Sequence, residues 1–256
     1  MTTAEGTALQ VKRQPLRKFM QWLSRGAFGL LTDLTIVGEA NFPKQGPLLV
    51  VGNHFSFIDP AIFVRIAPWP MDFIGGAQTP HAPGIVKFLP RLWGYLPVYR
   101  GTGSTYALKE AEKILKRKGI VGVFPEGGSW AQVLRPARPG AAYLSAKTGA
   151  KLLPIGIDGL PEVFPSLRRL KRAKVTIRIG KPFGPLKIKS GKGYQRREQI
   201  DAFGNEIMHQ IAALIPPEKG GIFSSDPKIR EASKDSVLYP WEGKREGEDV
   251  YIAPED

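Results

Sequence analysis

From Pro15 onward, Leu16, Phe19, Met20, Leu23, Ala27, Leu30 and Leu31 recur at helical spacing. This spacing predicts an amphipathic helix that opens with a proline suited to a first helical turn. The pattern then changes to short β-rich apolar runs separated by helical stretches. The runs Leu34–Val37, Leu48–Val51, Phe73–Ile74, Leu96–Tyr99, Ile120–Phe124, Leu152–Ile157 and Val175–Ile179 predict strands. Residues 60–66, 104–118, 138–149 and 195–215 carry the 3.6-residue period of helices. Alternation of this kind predicts a single α/β domain with a mostly parallel central sheet flanked by helices. The last of these helices presents Ile200, Phe203, Ile207, Ile211 and Leu214 on one face and stops at Pro216-Pro217. Beyond it the chain becomes acidic, Gly/Pro/Ser-containing and poor in periodic apolar positions, which predicts an irregular tail outside the core. The expected organisation is therefore an N-terminal arm and helix over 1–31, a main folded domain over 32–216 and an acidic tail over 217–256.

Composition narrows the function classes. In 256 residues, 42% hydrophobic and 23% charged positions suit a globular chain with a real core. The absence of cysteine removes disulfides, thiolate catalysis and cysteine-ligated zinc together. Three scattered histidines argue against a histidine metal site, and no metal or bound cofactor is expected. With no disulfides and no cleavable signal pattern, the expected setting is cytoplasmic. The formal net charge is +14, and the basic excess lies before residue 217. Such a field calls for an anionic partner, whether nucleic acid, a phosphorylated substrate or an anionic membrane leaflet, or else is a solvated basic surface.

The N-terminal helix bears on that choice. Lys12, Arg13, Arg17, Lys18 and Arg25 flank or interleave its apolar stripe, and Trp22 is a side chain suited to a bilayer interface. Two readings stand: an interfacial membrane contact, or a surface helix docked on its own domain. The apolar run is too short to span a bilayer.

Candidate chemistry centres on Asn53-His54-Phe55-Ser56-Phe57-Ile58-Asp59-Pro60, where a buried-looking strand runs out into a polar turn. Strand ends of this kind hold the sites of open α/β sheets. In a regular helix, residues five apart point about 140° from one another, so His54 and Asp59 meet only if the chain turns between them. Asp59-Pro60 also has the form of a helix start, so Asp59 either caps the following helix or orients the imidazole. Phosphate-binding glycine loops and a G-x-S-x-G elbow are missing.

The run N53-H54-x-S56-x-x-D59 resembles the H-x-x-x-x-D block of the glycerolipid acyltransferases, the family of the bacterial 1-acyl-glycerol-3-phosphate acyltransferases. Three further stretches follow in the family's order: Gly94-Tyr95-Leu96-Pro97-Val98-Tyr99-Arg100, Phe124-Pro125-Glu126-Gly127 and Leu153-Pro154-Ile155. The resemblance covers roughly residues 30 to 215. It implies transfer of an acyl group from a coenzyme A or acyl-carrier-protein thioester to a lipid hydroxyl, with His54 and Asp59 as the catalytic pair. It also implies Arg100 on the acceptor phosphate, Glu126 and Gly127 at the substrate, and Asn53, Ser56, Gly128 and Ser129 as further site positions. Glu126 is open to two roles, an ion pair with Arg100 or a polar contact to the acceptor, while Gly127 suits a tight turn.

Where the family's third block continues into Thr-Arg-Ser, this chain has Gly128-Ser129-Trp130, with Arg135 and Arg138 a few residues on. The implied partners are an anionic membrane surface at its cytoplasmic face, a lysophospholipid acceptor and the thioester donor, with the chain peripheral or monotopic. Another lipid acceptor is the nearest alternative. A basic nucleic-acid-binding protein is the alternative of a different class, and no helix-turn-helix, zinc-finger or RNA-stacking signature supports it.

Overall fold

The computed structural model describes residues 14–76, 92–98, 105–129, 131–189 and 193–234. Helix α1 (Gln14–Leu31) leads into β1 (Thr32–Val37), β2 (Leu48–Gly52), α2 (Asp59–Ile66), β3 (Asp72–Gly76) and β4 (Leu96–Val98). Then come α3 (Thr105–Lys116), β5 (Ile120–Val123), α4 (Gly140–Thr148), β6 (Lys151–Asp158), α5 (Val163–Arg168), β7 (Ala173–Ile179), α6 (Tyr194–Ala212) and α7 (Pro227–Ala232). The strands form one seven-stranded sheet in the order β1-β7-β6-β2-β5-β3-β4. It is parallel throughout except where β7 runs antiparallel to β6. The mostly parallel α/β domain expected from the alternation is the observed architecture.

The sheet is covered on both faces, which explains why β2 reads as an unbroken apolar run: all five of its residues are buried. Leu48 and Val50 enter one core with Phe28 of α1 and Ile62, Phe63 and Val64 of α2. Leu49 and Val51 enter the other, with Ala111 and Leu115 of α3, Leu144 of α4 and Phe203, Ile207 and Ile211 of α6. Strand period and helix period thus converge on two layers of side chains.

Helix α1 docks in the reverse of the usual sense. Arg17, Gln21 and Phe28 are its buried residues, and Ser24 Oγ and Gln21 Nε2 donate to the carbonyls of Ala61 and Ala67 on and just past α2. Arg17, 2% exposed, donates from Nη2 to Asp72 Oδ1 at 2.6 Å and from Nε to the Trp93 carbonyl at 3.0 Å. The apolar stripe read from the sequence faces outward instead, with Leu16, Phe19, Leu23 and Leu30 exposed beside Trp22. Periodicity locates such a stripe without saying which face docks. Here polar side chains with specific partners hold the other face.

The tail expected outside the core from residue 217 packs on the body as far as 234. Two single turns, Pro217–Lys219 and Gly221–Phe223, precede α7. Phe223 is buried in the second core, and Lys219 Nζ pairs with Asp158 Oδ1 at the end of β6. Helices α5 and α7, each six residues long, were below the length at which the hydrophobic period is visible.

Candidate active site

The candidate site lies at the end of β2, on the side where the parallel strands finish. Gly52 closes the strand, and a Cβ there would meet Phe63 Cζ at 2.7 Å and the Ile155 carbonyl at 2.8 Å. Asn53 follows, fully buried, and its side chain continues the sheet ladder. Its Nδ2 donates to the Ile157 carbonyl at 2.8 Å, and its Oδ1 accepts from the Ile157 amide at 2.7 Å. The chain therefore leaves β2 clamped to β6, and His54 projects from a fixed point.

Between His54 and Asp59 the chain turns, as the five-residue spacing required. The Asp59 amide donates to the Ser56 carbonyl at 3.1 Å, and Asp59 Oδ2 accepts from the Ser56 amide at 2.8 Å. The same oxygen lies 2.8 Å from His54 Nδ1. Asp59 begins α2 without capping it: its carboxylate turns back to the imidazole rather than onto the helix amides. Ser56 is a turn residue, its hydroxyl 3.5 Å from the Ile58 amide. The His54 ring stacks on Phe124 with centroids 4.3 Å apart and planes at 21°. The imidazole is thus fixed on one face by an aromatic ring and at one nitrogen by a carboxylate.

Glu126 braces the same residue from behind. Its Oε1 accepts from the His54 amide at 2.8 Å, and its Oε2 accepts from the Arg135 amide at 3.2 Å. The side chain is buried, 1% exposed. Among the described residues the carboxyl thus meets two backbone amides, and it ties the two halves of the site together.

Burial pushes the Glu126 carboxyl up to about 8, against the pull of the His54 and Arg135 amides and with the charge of Asp59 adding to the rise. Asp59 is also raised by burial, opposed by its hydrogen bond to and the charge of His54. The charge of Asp59 thus makes Glu126 harder to ionise.

Gly127 sits at φ +77°, a left-handed turn that glycine adopts without penalty. Gly128 is buried and Ser129 half-buried in the same turn. The following loop comes back on itself: besides the Arg135 amide on Glu126, the Arg138 amide donates to the Pro125 carbonyl at 2.8 Å. Both arginines are half-buried beside the third block. Arg100, expected at the acceptor phosphate, lies outside the described residues, as do His81 and Trp130. The Asn53 clamp on Ile157 and the Glu126 brace on the His54 amide link residues 104 and 72 positions apart, and no local pattern announces either.

A family model described as acyltransferase matches residues 33–158, a span that holds His54, Asp59 and Glu126. That span, 126 of the 256 residues, is similar to the acyltransferase family. It is 26% identical over 125 residues to the 1-acyl-sn-glycerol-3-phosphate acyltransferase of Borreliella burgdorferi, covering 48% of this chain and 50% of that one. The Bacillus subtilis protein of the same name is 25% identical over 148 residues, which is 57% of this chain and 72% of its own. The crystal structure of the 1-acyl-sn-glycerophosphate acyltransferase of Thermotoga maritima superposes with a TM-score of 0.56 at 26% identity, covering 76% of this chain and 78% of that one. The match with the Borreliella relative spans half of that relative's length.

Proposed function

We propose that the protein transfers an acyl group from a coenzyme A or acyl-carrier-protein thioester to the hydroxyl of a lysophospholipid, with 1-acyl-glycerol-3-phosphate as acceptor and phosphatidate as product. The observation that carries this reading is the 2.8 Å contact between His54 Nδ1 and Asp59 Oδ2 at the catalytic end of the sheet. Asp59 holds the tautomer in which Nδ1 bears the proton, so Nε2 accepts the proton of the attacking hydroxyl. The hydroxyl oxygen forms a bond to the thioester carbonyl carbon, the C–S bond breaks, and the leaving thiolate takes the proton from His54. No protein nucleophile is needed, because the thioester is already activated. Positioning and proton transfer are the main demands.

Glu126 serves this reading as a positioning residue that fixes the His54 main chain. Arg100 is the proposed phosphate ligand, because a lipid phosphate near the dyad needs a fixed cation and a guanidinium meets two of its oxygens at once. Arg135 and Arg138, which the returning loop brings beside Glu126, stand in the region where the family's third-block arginine is replaced by Gly128-Ser129-Trp130. The names of the relatives support the acceptor.

The reading extends to location: the protein acts as a peripheral enzyme on the cytoplasmic face of an anionic membrane. Support comes from the outward apolar stripe of α1 and the +14 net charge. Among the described residues no helix is long and apolar enough to cross a membrane.

The test offers a panel of lysolipids, with acyl-coenzyme A and acyl carrier protein as donors, to wild type and to His54→Ala, with products read by mass. Ester formation on lysophosphatidate by wild type alone is the expected result. Full turnover by folded His54→Ala would remove the mechanism.

A further inference from the structure

The turn that follows α5 contains an anomaly. The Leu170 amide donates to the Leu167 carbonyl and the Lys171 amide to the Ser166 carbonyl, each at 3.0 Å. This pair of bonds is the Schellman closure of a helix, and it puts Leu170 at the left-handed position where glycine is the usual occupant. Leu170 adopts φ +53° there and is 97% exposed. Neither backbone conformation nor packing in the domain accounts for a leucine at this point. Its neighbours Arg168, Arg169 and Lys171 are exposed as well.

The position of the turn in the fold is equally specific. Strand β7 starts at Ala173, and its antiparallel register with β6 sets Thr176 beside Asp158. Since β6 is parallel to β2, with Ile155 beside Gly52, the turn lies at the end of the sheet that carries His54. Arg172 reaches across to the last turn of α1, donating from Nη2 to the carbonyls of Gly29 and Thr32 and pairing with Asp33 at 3.3 Å. Leu30, 75% exposed, is next to that junction, so the turn adjoins the outward stripe of α1. On the other side, Phe164 of α5 stacks on Phe57 of the His54–Asp59 loop at 5.4 Å and 17°.

We infer that the Arg168–Lys171 turn is a bilayer contact in its own right, with Leu170 entering the acyl boundary and Arg168, Arg169 and Lys171 meeting anionic phospholipid headgroups. This rests on the membrane-surface reading above and goes beyond it by assigning a contact on the catalytic end of the domain itself. An apolar side chain displayed among cations is complementary to the headgroup–acyl boundary of an anionic leaflet, where a protruding leucine on a purely basic protein-binding patch would remain in water. The contact seats the His54 end of the sheet against the layer from which a lipid acceptor arrives. Through Phe164 and Phe57, it is also one aromatic pair away from the catalytic loop.

Because the chain has no cysteine, Leu170→Cys can carry a single environment-sensitive fluorophore in the otherwise complete protein. Lys116→Cys, exposed just before β5 at the opposite end of the sheet, serves as control. On vesicles of phosphatidylglycerol and phosphatidylcholine, the label at 170 should shift to the blue and be quenched by brominated lipid, while that at 116 stays aqueous. Leu170→Gly separates a membrane role from a folding role, since glycine suits the backbone conformation. It should melt no lower than wild type and partition about tenfold more weakly onto the vesicles. Replacing Arg168, Arg169 and Lys171 with serine should cost about fivefold per charge, an effect that high salt removes.

Vesicle flotation of wild type with an aqueous label at 170, or unchanged partitioning of Leu170→Gly, would overturn this contact and leave α1 as the membrane element. Absence of wild-type flotation would overturn the membrane reading and this contact with it. A label at 170 that responds to an acidic acyl carrier protein and not to vesicles would assign the turn to a protein partner instead.

Discussion

The Glu126 carboxyl accepts the amide of His54 at 2.8 Å, so a buried acid 72 residues away fixes the main chain of the proposed base. Its proton affinity makes this brace sensitive to pH. A carboxyl raised to about 8 in the fold and near 4.5 when unfolded binds its proton more tightly in the folded state. Its contribution to stability is therefore complete below about pH 4.5 and is lost as the pH rises through about 8. Glu126→Gln, which cannot titrate, should flatten the fall in stability between these limits. Urea unfolding at pH 5, 6, 7 and 8 measures both slopes, and equal slopes would contradict the assignment.

Asp59→Asn keeps a side chain of the same shape and removes the charge that stabilises the imidazolium. We expect kcat to fall by about 10²- to 10⁴-fold, with little change in KM for the donor. His54→Ala should lose at least as much. Steady-state kinetics on purified, folded protein give the comparison, and an Asp59→Asn enzyme of normal kcat would reduce that carboxyl to a turn residue.

Asn53→Ala would leave both the amide and the carbonyl of Ile157 without their partner inside the sheet. A buried backbone group left unpaired costs about 1–3 kcal/mol, and two are affected. Because His54 follows directly, activity should fall along with stability. Denaturant melts combined with kcat at a permissive temperature distinguish this from a purely global effect.

Breaking the buried Arg17–Asp72 pair from one side leaves an uncompensated charge where water does not reach. Burial raises the Asp72 carboxyl, and the guanidinium opposes that rise. Arg17→Ala should destabilise by about 3–5 kcal/mol, and the double change Arg17→Met with Asp72→Leu by much less. Thermal or urea unfolding of the set tests the pair.

Phe223→Ala should cost about 3–5 kcal/mol, the range for a buried aromatic, although its segment reads as a polar tail. Ending the chain at residue 221 should be as damaging, because it removes Phe223 from the second core. Calorimetry of both variants checks this.

Much of the fold was legible because strand and helix periods are local. Leu48–Val51 announces a buried strand, and 195–215 announces the covering helix. The strand order and the antiparallel β7 depend on pairings between distant segments, which no window of sequence contains. At the site, Asp59-Pro60 and the spacing to His54 forecast a turn, and the turn is there. The brace by Glu126 was not legible, since Phe-Pro-Glu-Gly specifies a bend without naming what the carboxyl reaches. The docking of α1 was not legible for a related reason: a helical stripe is visible in sequence, whereas the polar partners of Arg17, Gln21 and Ser24 become visible only when α2 and Trp93 are in place.

Helix α1 is held at both ends, by Arg17 on Asp72 near its start and by Arg172 on the Gly29 carbonyl of its last turn. Over about 27 Å, the length of its eighteen residues at 1.5 Å each, it has no hinge on which to swing away from the body. On the membrane reading proposed above, α1 and the sheet land together, and the height of His54 above the lipid plane follows from the fold.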